Sequence, residues 1–385
     1  MRLPDYRGGS IVNLMASLQT GLDGLPPAYD PLALLPAAEV ATHRQVLLLV
    51  IDGLGLNYLR AVPEATCLNA HLRGGITSVY PPTTATAVTT FLTGDAPQQH
   101  GLTGWHMYFR ELGSVLAVLP GKARYGGVGL GAAGIDVPAL FGHRPFADRL
   151  GVEAWSLAPA YIAGSDFNLA HLGRAHPLSY LGLGELLTQA AAILHQEGRR
   201  FVYGYWPELD SLGHQSGIWS ERSRNHLREL DQALADFLEQ IRGTDTLVVL
   251  CADHGQVDTT SSDRIYLHDH PALAELLVLP LCGEPRSAYC YLRPGAEDAF
   301  DAYVASALAG IARSFRSAEL LESGWFGLGE PHPRLAQRIG DRVLLMQQNY
   351  ILKDWLAQEH PYELIGVHGG LSPDELLVPL IVATA

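Results

Sequence analysis

Aspartate and histidine side chains recur in this sequence directly after short apolar runs or in glycine-rich turns. Six of them are candidate metal ligands: Asp52, Asp210, His214, Asp253, His254 and His368. Carboxylate oxygens together with imidazole nitrogens form the ligand set of zinc and similar divalent ions. Six ligands are too many for one tetrahedral site and suit two ions that lie about 4 Å apart. Taken singly, each residue also fits a structural role, such as a helix cap, a salt bridge or a turn.

A pair of threonine hydroxyls lies at the predicted start of a short helix. Two prolines precede Thr83 and Thr84, and a helix-compatible segment, residues 85–93, ends at Gly94. These are start and stop signals for a helix. The free N–H groups and the positive end of the helix dipole favour an anion at this point. Either threonine could therefore be a helix cap or a nucleophile that faces a bound phosphate.

The elements that would position these residues have the pattern of an α/β protein. Apolar runs at 46–51, 201–206 and 246–251 indicate buried strands of a parallel sheet, and an aspartate follows each of them closely. Helical periodicity marks residues 183–196 and 220–242. Parallel strands end at one edge of a sheet, where open α/β sheets bind ligands. We therefore predict an α/β fold with a mostly parallel central sheet flanked by helices.

The C-terminal third of the chain does not continue this alternation of buried strands and helices. Residues 256–364 contain a strand-like stretch at 288–295 and an alanine-rich helix candidate at 297–312. We expect a single catalytic domain over residues 1–385, with 256–364 forming an inserted smaller subdomain or cap. Pro379 lies in the last apolar run and predicts a strand that is at a sheet edge or is paired on one side only.

Two further motifs are not assigned a catalytic or ligand-binding role. Residues 129–134, GLGAAG, match the dinucleotide fingerprint GxGxxG, but no strand directly precedes them and Pro138 follows. A loop is therefore expected there. Residues 268–270, HDH, lack the context of a strand end and are assigned a structural role.

Composition limits the classes of function. A chain of 385 residues with 48% hydrophobic content can bury a large core, and its formal net charge of −14 argues against stable binding to nucleic acid or to an anionic membrane. Four cysteines without a CxxC pair indicate a reducing compartment. The N-terminal stretch has no signal-peptide pattern, and no apolar run approaches the ~20 residues of a membrane span. We expect a cytoplasmic protein.

The motifs together resemble those of a known family. VIDGLG, YPPTTATAVTTFLTG, PELDSLGH, ADHG and VHGG occur in an order and spacing similar to those of the alkaline phosphatase superfamily, within it the nucleotide pyrophosphatase/phosphodiesterase group. The resemblance covers residues 46 to 382. It implies an alkaline-phosphatase-like fold and hydrolysis of a small-molecule phosphoester, with a nucleotide as one candidate. In that family the nucleophile lies nine residues before the threonine of the TG that ends its helix, which selects Thr84.

The resemblance also implies a cofactor and a ligand set. Two divalent ions are expected, zinc first and manganese as the alternative, and the reaction would pass through a phosphothreonine. One ion would be held by Asp52, Asp253 and His254 together with the oxygen of Thr84. The other ion would be held by Asp210, His214 and His368.

One departure from the family pattern leaves the substrate open. Phosphodiesterase members have an asparagine shortly after the HG of the loop at residues 93–105, and Trp105 occupies that position here. Thr103 or a backbone N–H could replace the missing donor, and Trp105 could stack on a flat leaving group or simply pack on the surface. A phosphomonoesterase, phosphonate hydrolase or phosphomutase on the same scaffold stays open, as does a non-catalytic metal-binding regulatory protein.

Overall fold

The structure is a computed structural model that describes residues 2–357 and 359–385. Its strands, in chain order, are β1 Gln45–Ile51, β2 Leu72–Thr77, β3 His106–Phe109, β4 Ser114–Ala117, β5 Lys122–Ala123, β6 Glu153–Pro159, β7 His176–Tyr180, β8 Arg200–Trp206, β9 Thr246–Cys251, β10 Val257–Asp258, β11 Arg264–Tyr266, β12 Cys282–Glu284, β13 Ser287–Cys290, β14 Ala312–Arg316, β15 Arg342–Met346, β16 Ile351–Lys353, β17 Gly366–Val367 and β18 Leu377–Thr384.

Helices separate most of these strands. They are α1 Ile11–Gly21, α2 Ala37–Ala41, α3 Leu56–Arg60, α4 Thr66–Ala70, α5 Thr84–Thr93, α6 Pro97–His100, α7 Val137–Phe141, α8 Ala160–Ala163, α9 Asp166–Leu172, α10 Leu183–Leu194, α11 Glu208–Ser216, α12 Glu221–Gln240, α13 Pro271–Ala274, α14 Glu297–Ala307, α15 Ser317–Glu322, α16 Leu335–Arg338 and α17 Pro373–Leu376. Short 3₁₀ turns occupy Phe146–Arg149, Ser261–Asp263 and Leu267–Asp269. None of the described helices combines the length and the apolar character needed to cross a bilayer.

The central sheet has the strand order β2-β18-β9-β1-β8-β6-β7. The pairs β1–β8, β1–β9, β6–β8 and β6–β7 are parallel, whereas β18 runs antiparallel to both of its neighbours. Every residue of β1 and β9 is buried, as expected for strands covered on both faces. The predicted mostly parallel α/β fold is therefore confirmed.

The helices that flank this sheet bury the apolar stripe that their periodicity predicts. The helix expected at 220–242 is α12, whose buried positions include Leu227, Leu230, Leu234 and Phe237. These side chains belong to the same apolar cluster as the central strands. Ser220 accepts a hydrogen bond from the Ser223 N–H and so caps the start of the helix.

Pro379 lies in β18, which is an inner strand and not an edge strand. Pro379 pairs with Gly75 of β2, whereas pairing with β9 begins only at Ile381. The prediction of an edge strand is wrong, but pairing on one side at the proline itself is confirmed. The reason is local, because a proline has no N–H and needs an unpaired flank only at its own position.

A second sheet, with the order β14-β15-β13-β12-β3-β4-β5, draws its strands from two distant parts of the chain. The predicted insertion 256–364 contributes β12 to β15, and residues 106–123 contribute β3 to β5. The division of the chain into a catalytic domain and an inserted subdomain stays a prediction. The GLGAAG segment at 129–134 forms turns, and no strand leads into it.

A buried ion pair connects the second sheet to the loop that carries His368. The Arg286 guanidinium donates to both carboxylate oxygens of Glu375 at 2.6 and 2.8 Å, and both side chains are almost completely buried. Glu375 in turn accepts hydrogen bonds from the Gly370 N–H and the Ser372 hydroxyl. The glycine-rich loop after His368 is therefore held by an arginine of the second sheet.

We predict that Arg286→Met lowers the free energy of unfolding by about 3–5 kcal/mol, because it leaves the Glu375 carboxylate buried without its cation. Urea unfolding followed by circular dichroism measures the change. The control is Arg316→Met, which removes the exposed pair with Glu319 and should cost less than about 1 kcal/mol. Equal losses in the two variants would contradict the proposed importance of the buried pair.

Candidate metal centre and active site

The carboxyl ends of three neighbouring strands bring the predicted aspartates together. β1 pairs with β8 up to Ile51 and with β9 up to Val50, so that all three strands end at the same level. Asp52 follows β1 directly, and its N–H donates to the Trp206 oxygen at the end of β8. Asp253 lies two residues after β9. This is the edge of the sheet at which the sequence predicted a ligand site.

The first group of candidate ligands surrounds the imidazole of His254. Its Nε2 lies 3.3 Å from Asp52 Oδ1 and 3.4 Å from Asp253 Oδ2. The Thr84 hydroxyl lies 3.1 Å from the same nitrogen. Ligand atoms of the two aspartates and the histidine all fall within 4.8 Å of one another, which is close enough for one ion. The geometry thus gathers the four residues that were assigned to one metal.

The second group is built around Asp210. His214 Nε2 lies 3.0 Å from Asp210 Oδ2, one helical turn away in α11, and His368 Nε2 lies 3.8 Å from Oδ1. His214 Nδ1 bonds to the Gly366 oxygen, which leaves Nε2 directed at the site. The rings of His254 and His368 stack with centroids 3.7 Å apart, so the two groups adjoin. All six predicted ligands therefore lie at one edge of the sheet. Around Asp210, the ligand atoms within 4.8 Å of one another are those of His254 and His368, whereas His214 adjoins this group through its contact with Asp210.

Helix α5 presents the predicted nucleophile. The helix begins at Thr84, and Gly94 ends it with φ +77°. Thr83 is the residue before the helix, but its hydroxyl donates to Glu284 and not to the helix backbone. Only the Thr84 hydroxyl of this pair contacts the histidine cluster. The first N–H groups of a helix have no partner within it, so they are available to an anion beside Thr84.

Burial and mutual repulsion set the electrostatics of the centre. Burial, followed by the charges of Asp253 and Asp210, raises the pKa of Asp52 well above its usual value. Burial also raises the pKa of Asp253. Although burial opposes it, the neighbouring His214 holds the pKa of Asp210 below its usual value. Burial and then His254 lower the pKa of His368 well below its usual value, which favours the neutral imidazole that binds metals.

Several polar atoms of the centre are buried without a hydrogen-bond partner. They are Asp52 Oδ1, Asp253 Oδ2 and His368 Nδ1. Unsatisfied buried polar atoms are costly and rare in proteins, and here two of them are carboxylate oxygens that point at the same imidazole. Together with the donor set, these atoms fit a pair of divalent cations.

Two residues that the sequence analysis missed orient the carboxylates. The Tyr205 hydroxyl donates to Asp52 Oδ2, and the Gln256 amide donates to Asp210 Oδ1. Tyr205 comes from β8 and Gln256 directly follows the ADHG motif. Their only sequence signal is proximity to a motif, which does not distinguish them from neighbouring polar residues.

A cavity of ≈ 950 Å³ opens onto the metal centre. Thr84, Asp52 and His214 form part of its wall, and aromatic side chains such as Trp355 and Tyr362 line it as well. Its lining is mainly apolar. The cavity is therefore large enough for the part of a substrate that extends beyond a phosphate group.

The two predicted substrate-contacting residues have different environments. Trp105 lines the cavity and is partly exposed. Thr103 is completely buried and lies outside the cavity wall, where its backbone oxygen accepts a hydrogen bond from the Tyr289 hydroxyl. Trp105 therefore stays a candidate for contact with the substrate. Thr103 does not reach the cavity, because the backbone of the loop turns its side chain inward.

The HDH segment lies outside the centre. His268 and Asp269 are both exposed, and they form a loose pair at 3.6 Å. Among the described residues, the groups with metal-ligand spacing do not include them. The structural assignment of residues 268–270 agrees with this placement.

A mostly parallel sheet with aspartates, histidines and a helix-borne threonine at one edge suits the hydrolysis of phosphoric esters. The sequence profile of the type I phosphodiesterase/nucleotide pyrophosphatase family matches residues 46–371, and the chain belongs to this family. A search among curated proteins finds no significant match.

Solved structures share the fold. Murine ectonucleotide pyrophosphatase/phosphodiesterase 5 aligns with a TM-score of 0.63 and 17% identity, over 87% of each chain. An inactive variant of the murine protein in complex with AMP aligns at 0.64 and 16% identity, over 88% of this chain and 87% of that one. The human protein of the same name gives 0.62 and 16%, with the same coverage of 88% and 87%.

We predict that a divalent metal raises the melting temperature, because an ion that binds only the folded protein adds RT ln(1 + [L]/Kd), about 2.7 kcal/mol at one hundred times Kd. Differential scanning fluorimetry would compare chelator-treated protein before and after addition of zinc or manganese. Asp52→Asn should reduce the shift, whereas the exposed control Asp269→Asn should keep it. If neither chelator nor added metal changes the melting temperature of the wild-type protein, the assignment of a metal centre is wrong.

Proposed function

We propose that the protein is a two-metal phosphodiesterase of the nucleotide pyrophosphatase type that acts through a phosphothreonine on Thr84. One observation carries the proposal: the Thr84 hydroxyl begins a helix and lies 3.1 Å from His254 Nε2, within the cluster of candidate ligands. A nucleophile at a helix N-terminus beside candidate metal ligands suits attack on a phosphorus atom.

The residues that would hold the ions follow the two groups already described. Asp52, Asp253 and His254 would hold one ion with the Thr84 oxygen. Asp210, His214 and His368 would hold the other. We propose zinc as the native metal, with manganese as the alternative, because the donors are carboxylates and imidazoles without thiolates. Bound divalent ions lower the pKa of a coordinated hydroxyl and stabilise negative charge on phosphoryl oxygens.

The side chains of the protein then account for the order of bond changes. The Thr84 hydroxyl loses its proton to solvent and its oxygen attacks phosphorus. The bond from phosphorus to the leaving oxygen breaks in line with the attack, and the organic group departs as an alcohol after taking up a proton. The first N–H groups of α5 bind a phosphoryl oxygen and hold it during the attack. A water molecule then cleaves the phosphorus–oxygen bond to Thr84, which regenerates the hydroxyl and releases the phosphorylated product.

The cavity supports a small-molecule substrate with a sizeable organic group. Its lining combines apolar side chains with Trp105, Trp355 and Tyr362, which suit a flat or apolar leaving group. AMP is bound in the structure of the murine relative, so we propose a nucleotide as the first substrate to test. The net charge of −14 favours such small molecules over polymeric nucleic acid.

Alternative functions on the same scaffold depend on how the phosphate is held. The sequence analysis left a backbone N–H as one replacement for the family asparagine, and the N–H of Trp105 itself donates to Glu284 at 2.6 Å and is already engaged. This keeps a phosphomonoesterase, phosphonate hydrolase or phosphomutase as the second candidate. A non-catalytic regulatory protein is disfavoured, because such a protein would not need a hydroxyl directed at the metal centre.

We also propose a reducing, cytoplasmic location. The four cysteines are all free thiols, and three of them are buried.

We predict that Thr84→Ala abolishes ester hydrolysis while the zinc content stays near two ions per chain, because the two aspartate and histidine groups are retained. Thr83→Ala, which keeps the Thr84 hydroxyl, should stay active. Turnover is measured with a chromogenic ester, and the metal content is measured by atomic absorption. Acid quenching of the wild-type reaction should trap phosphate on the peptide that contains Thr84. Undiminished turnover by Thr84→Ala would show that another residue is the nucleophile.

We predict that the metal-loaded protein hydrolyses bis(p-nitrophenyl) phosphate with a higher kcat/KM than p-nitrophenyl phosphate, because the apolar cavity can bind a second organic group. Initial rates with both esters at several concentrations give the two constants. A preference for the monoester would favour the second candidate function. Absence of turnover of either ester, with metal bound, would favour the regulatory protein.

A further inference from the structure

A buried carboxylate from the second sheet lies in the wall of the active-site cavity and has no part in the mechanism above. Glu284 is the last residue of β12, and only 7% of its surface is exposed. It lines the same cavity as Thr84 and His214. Its carboxylate accepts a hydrogen bond from the hydroxyl of Thr83, the residue directly before the proposed nucleophile. Glu284 is therefore a buried carboxyl group in the part of the cavity wall next to the start of α5.

One oxygen of Glu284 makes both of its hydrogen bonds. Oε1 accepts from the Thr83 hydroxyl at 2.7 Å and from the Trp105 N–H at 2.6 Å. These two hydrogen bonds fix the carboxylate in the wall of the cavity.

Two glycines permit this arrangement. A Cβ atom on Gly104 would lie 2.8 Å from the Cα of Gly283, and Gly283 itself has φ +75°. A side chain at Gly104 would push the Trp105 loop away from β12, and one at Gly283 would collide with the Ser287 oxygen of β13. The close approach of the two backbones places the Trp105 N–H on the Glu284 carboxylate. The carboxylate is therefore held from two sides and not free to swing away.

We propose that Glu284 is a specificity-determining residue whose negative charge disfavours dianionic phosphate monoesters relative to monoanionic phosphodiesters. This inference rests on the proposed function and names the substrate class of the same site. A phosphate monoester carries close to two negative charges at neutral pH, whereas a diester carries one. Repulsion by a nearby carboxylate scales with the charge of the substrate, and it is stronger beside the mainly apolar wall of this cavity than in bulk water. The diester consequently loses less binding energy than the monoester.

The test compares wild-type protein with Glu284→Gln, both loaded with zinc. Glutamine keeps an oxygen that can accept from Thr83 and Trp105, but it removes the charge. Burial raises the pKa of Glu284 to about 7, so the assay is run at about pH 8.5, where the carboxylate is ionised. We expect the ratio of kcat/KM for p-nitrophenyl phosphate to kcat/KM for bis(p-nitrophenyl) phosphate to rise about tenfold. An unchanged or lower ratio would overturn the assignment.

A control variant distinguishes an effect of the Glu284 charge from an effect of Glu284 on the position of its neighbours. Thr83→Val removes one hydrogen bond to Glu284 and keeps the carboxylate, so its ratio of the two constants should stay within about twofold of wild type. If Thr83→Val raises the ratio as much as Glu284→Gln does, Glu284 acts by placing its neighbours, and the charge assignment is wrong. Glu284→Asn, which also removes the charge, replaces the glutamine variant if that variant does not fold.

Inhibition by inorganic phosphate provides a second readout. Phosphate is mostly a dianion under these conditions, so its inhibition constant should fall about tenfold in Glu284→Gln. An unchanged constant would overturn the inference. Failure of the wild-type protein to hydrolyse either ester would instead overturn the proposed function. The two failures are distinguishable, because the first requires an active wild-type enzyme.

Discussion

Burial of negative charge at the end of the central sheet is the constraint that organises the rest of the molecule. Asp52, Asp210 and Asp253 are almost completely buried and lie around the same histidine, His254. Carboxylates brought out of water and close to one another repel strongly, and burial alone already raises the pKa of Asp52 and Asp253. Under the proposed mechanism, three carboxylates and one threonine alkoxide balance the four positive charges of two divalent ions. The surrounding structure must therefore keep these groups together.

Both sheets contribute to that task. The parallel strands fix where the aspartates end, while the second sheet supplies Arg286, which holds the loop of His368 through Glu375. The same sheet supplies Glu284, which joins the start of α5 to the Trp105 loop. The cavity is consequently formed between elements that are far apart in sequence. This explains why its chemistry depends on residues outside the recognisable motifs.

The parts that the sequence predicts well are those with local signals. An apolar run followed by an aspartate identifies β1 and β9, and proline, threonine and glycine mark α5, so the six candidate ligands and the threonine pair could be named from the residues. The choice of Thr84 over Thr83 came from the resemblance to the family and not from these local signals. Strands β3 to β5 have two to four residues each and pair with one another, and they join the second sheet only where His106 of β3 pairs with Gly283 of β12. Strands this short give no clear periodic pattern, and the pairing with β12 is far from them in sequence, so the sequence analysis did not predict them. Glu284 and Arg286 occupy a short turn region whose role depends on that distant pairing. Thr103 was a reasonable donor by type, but the path of the loop turns it into the core.

The loop at Trp105 is attached through its backbone. The Trp105 N–H donates to Glu284, and its carbonyl oxygen accepts from the Val118 N–H. The position of the loop is therefore independent of which side chain residue 105 carries. Substitutions at this site during evolution can change what the cavity accepts without disturbing the frame around it, so related enzymes can diverge in substrate choice at a small structural cost.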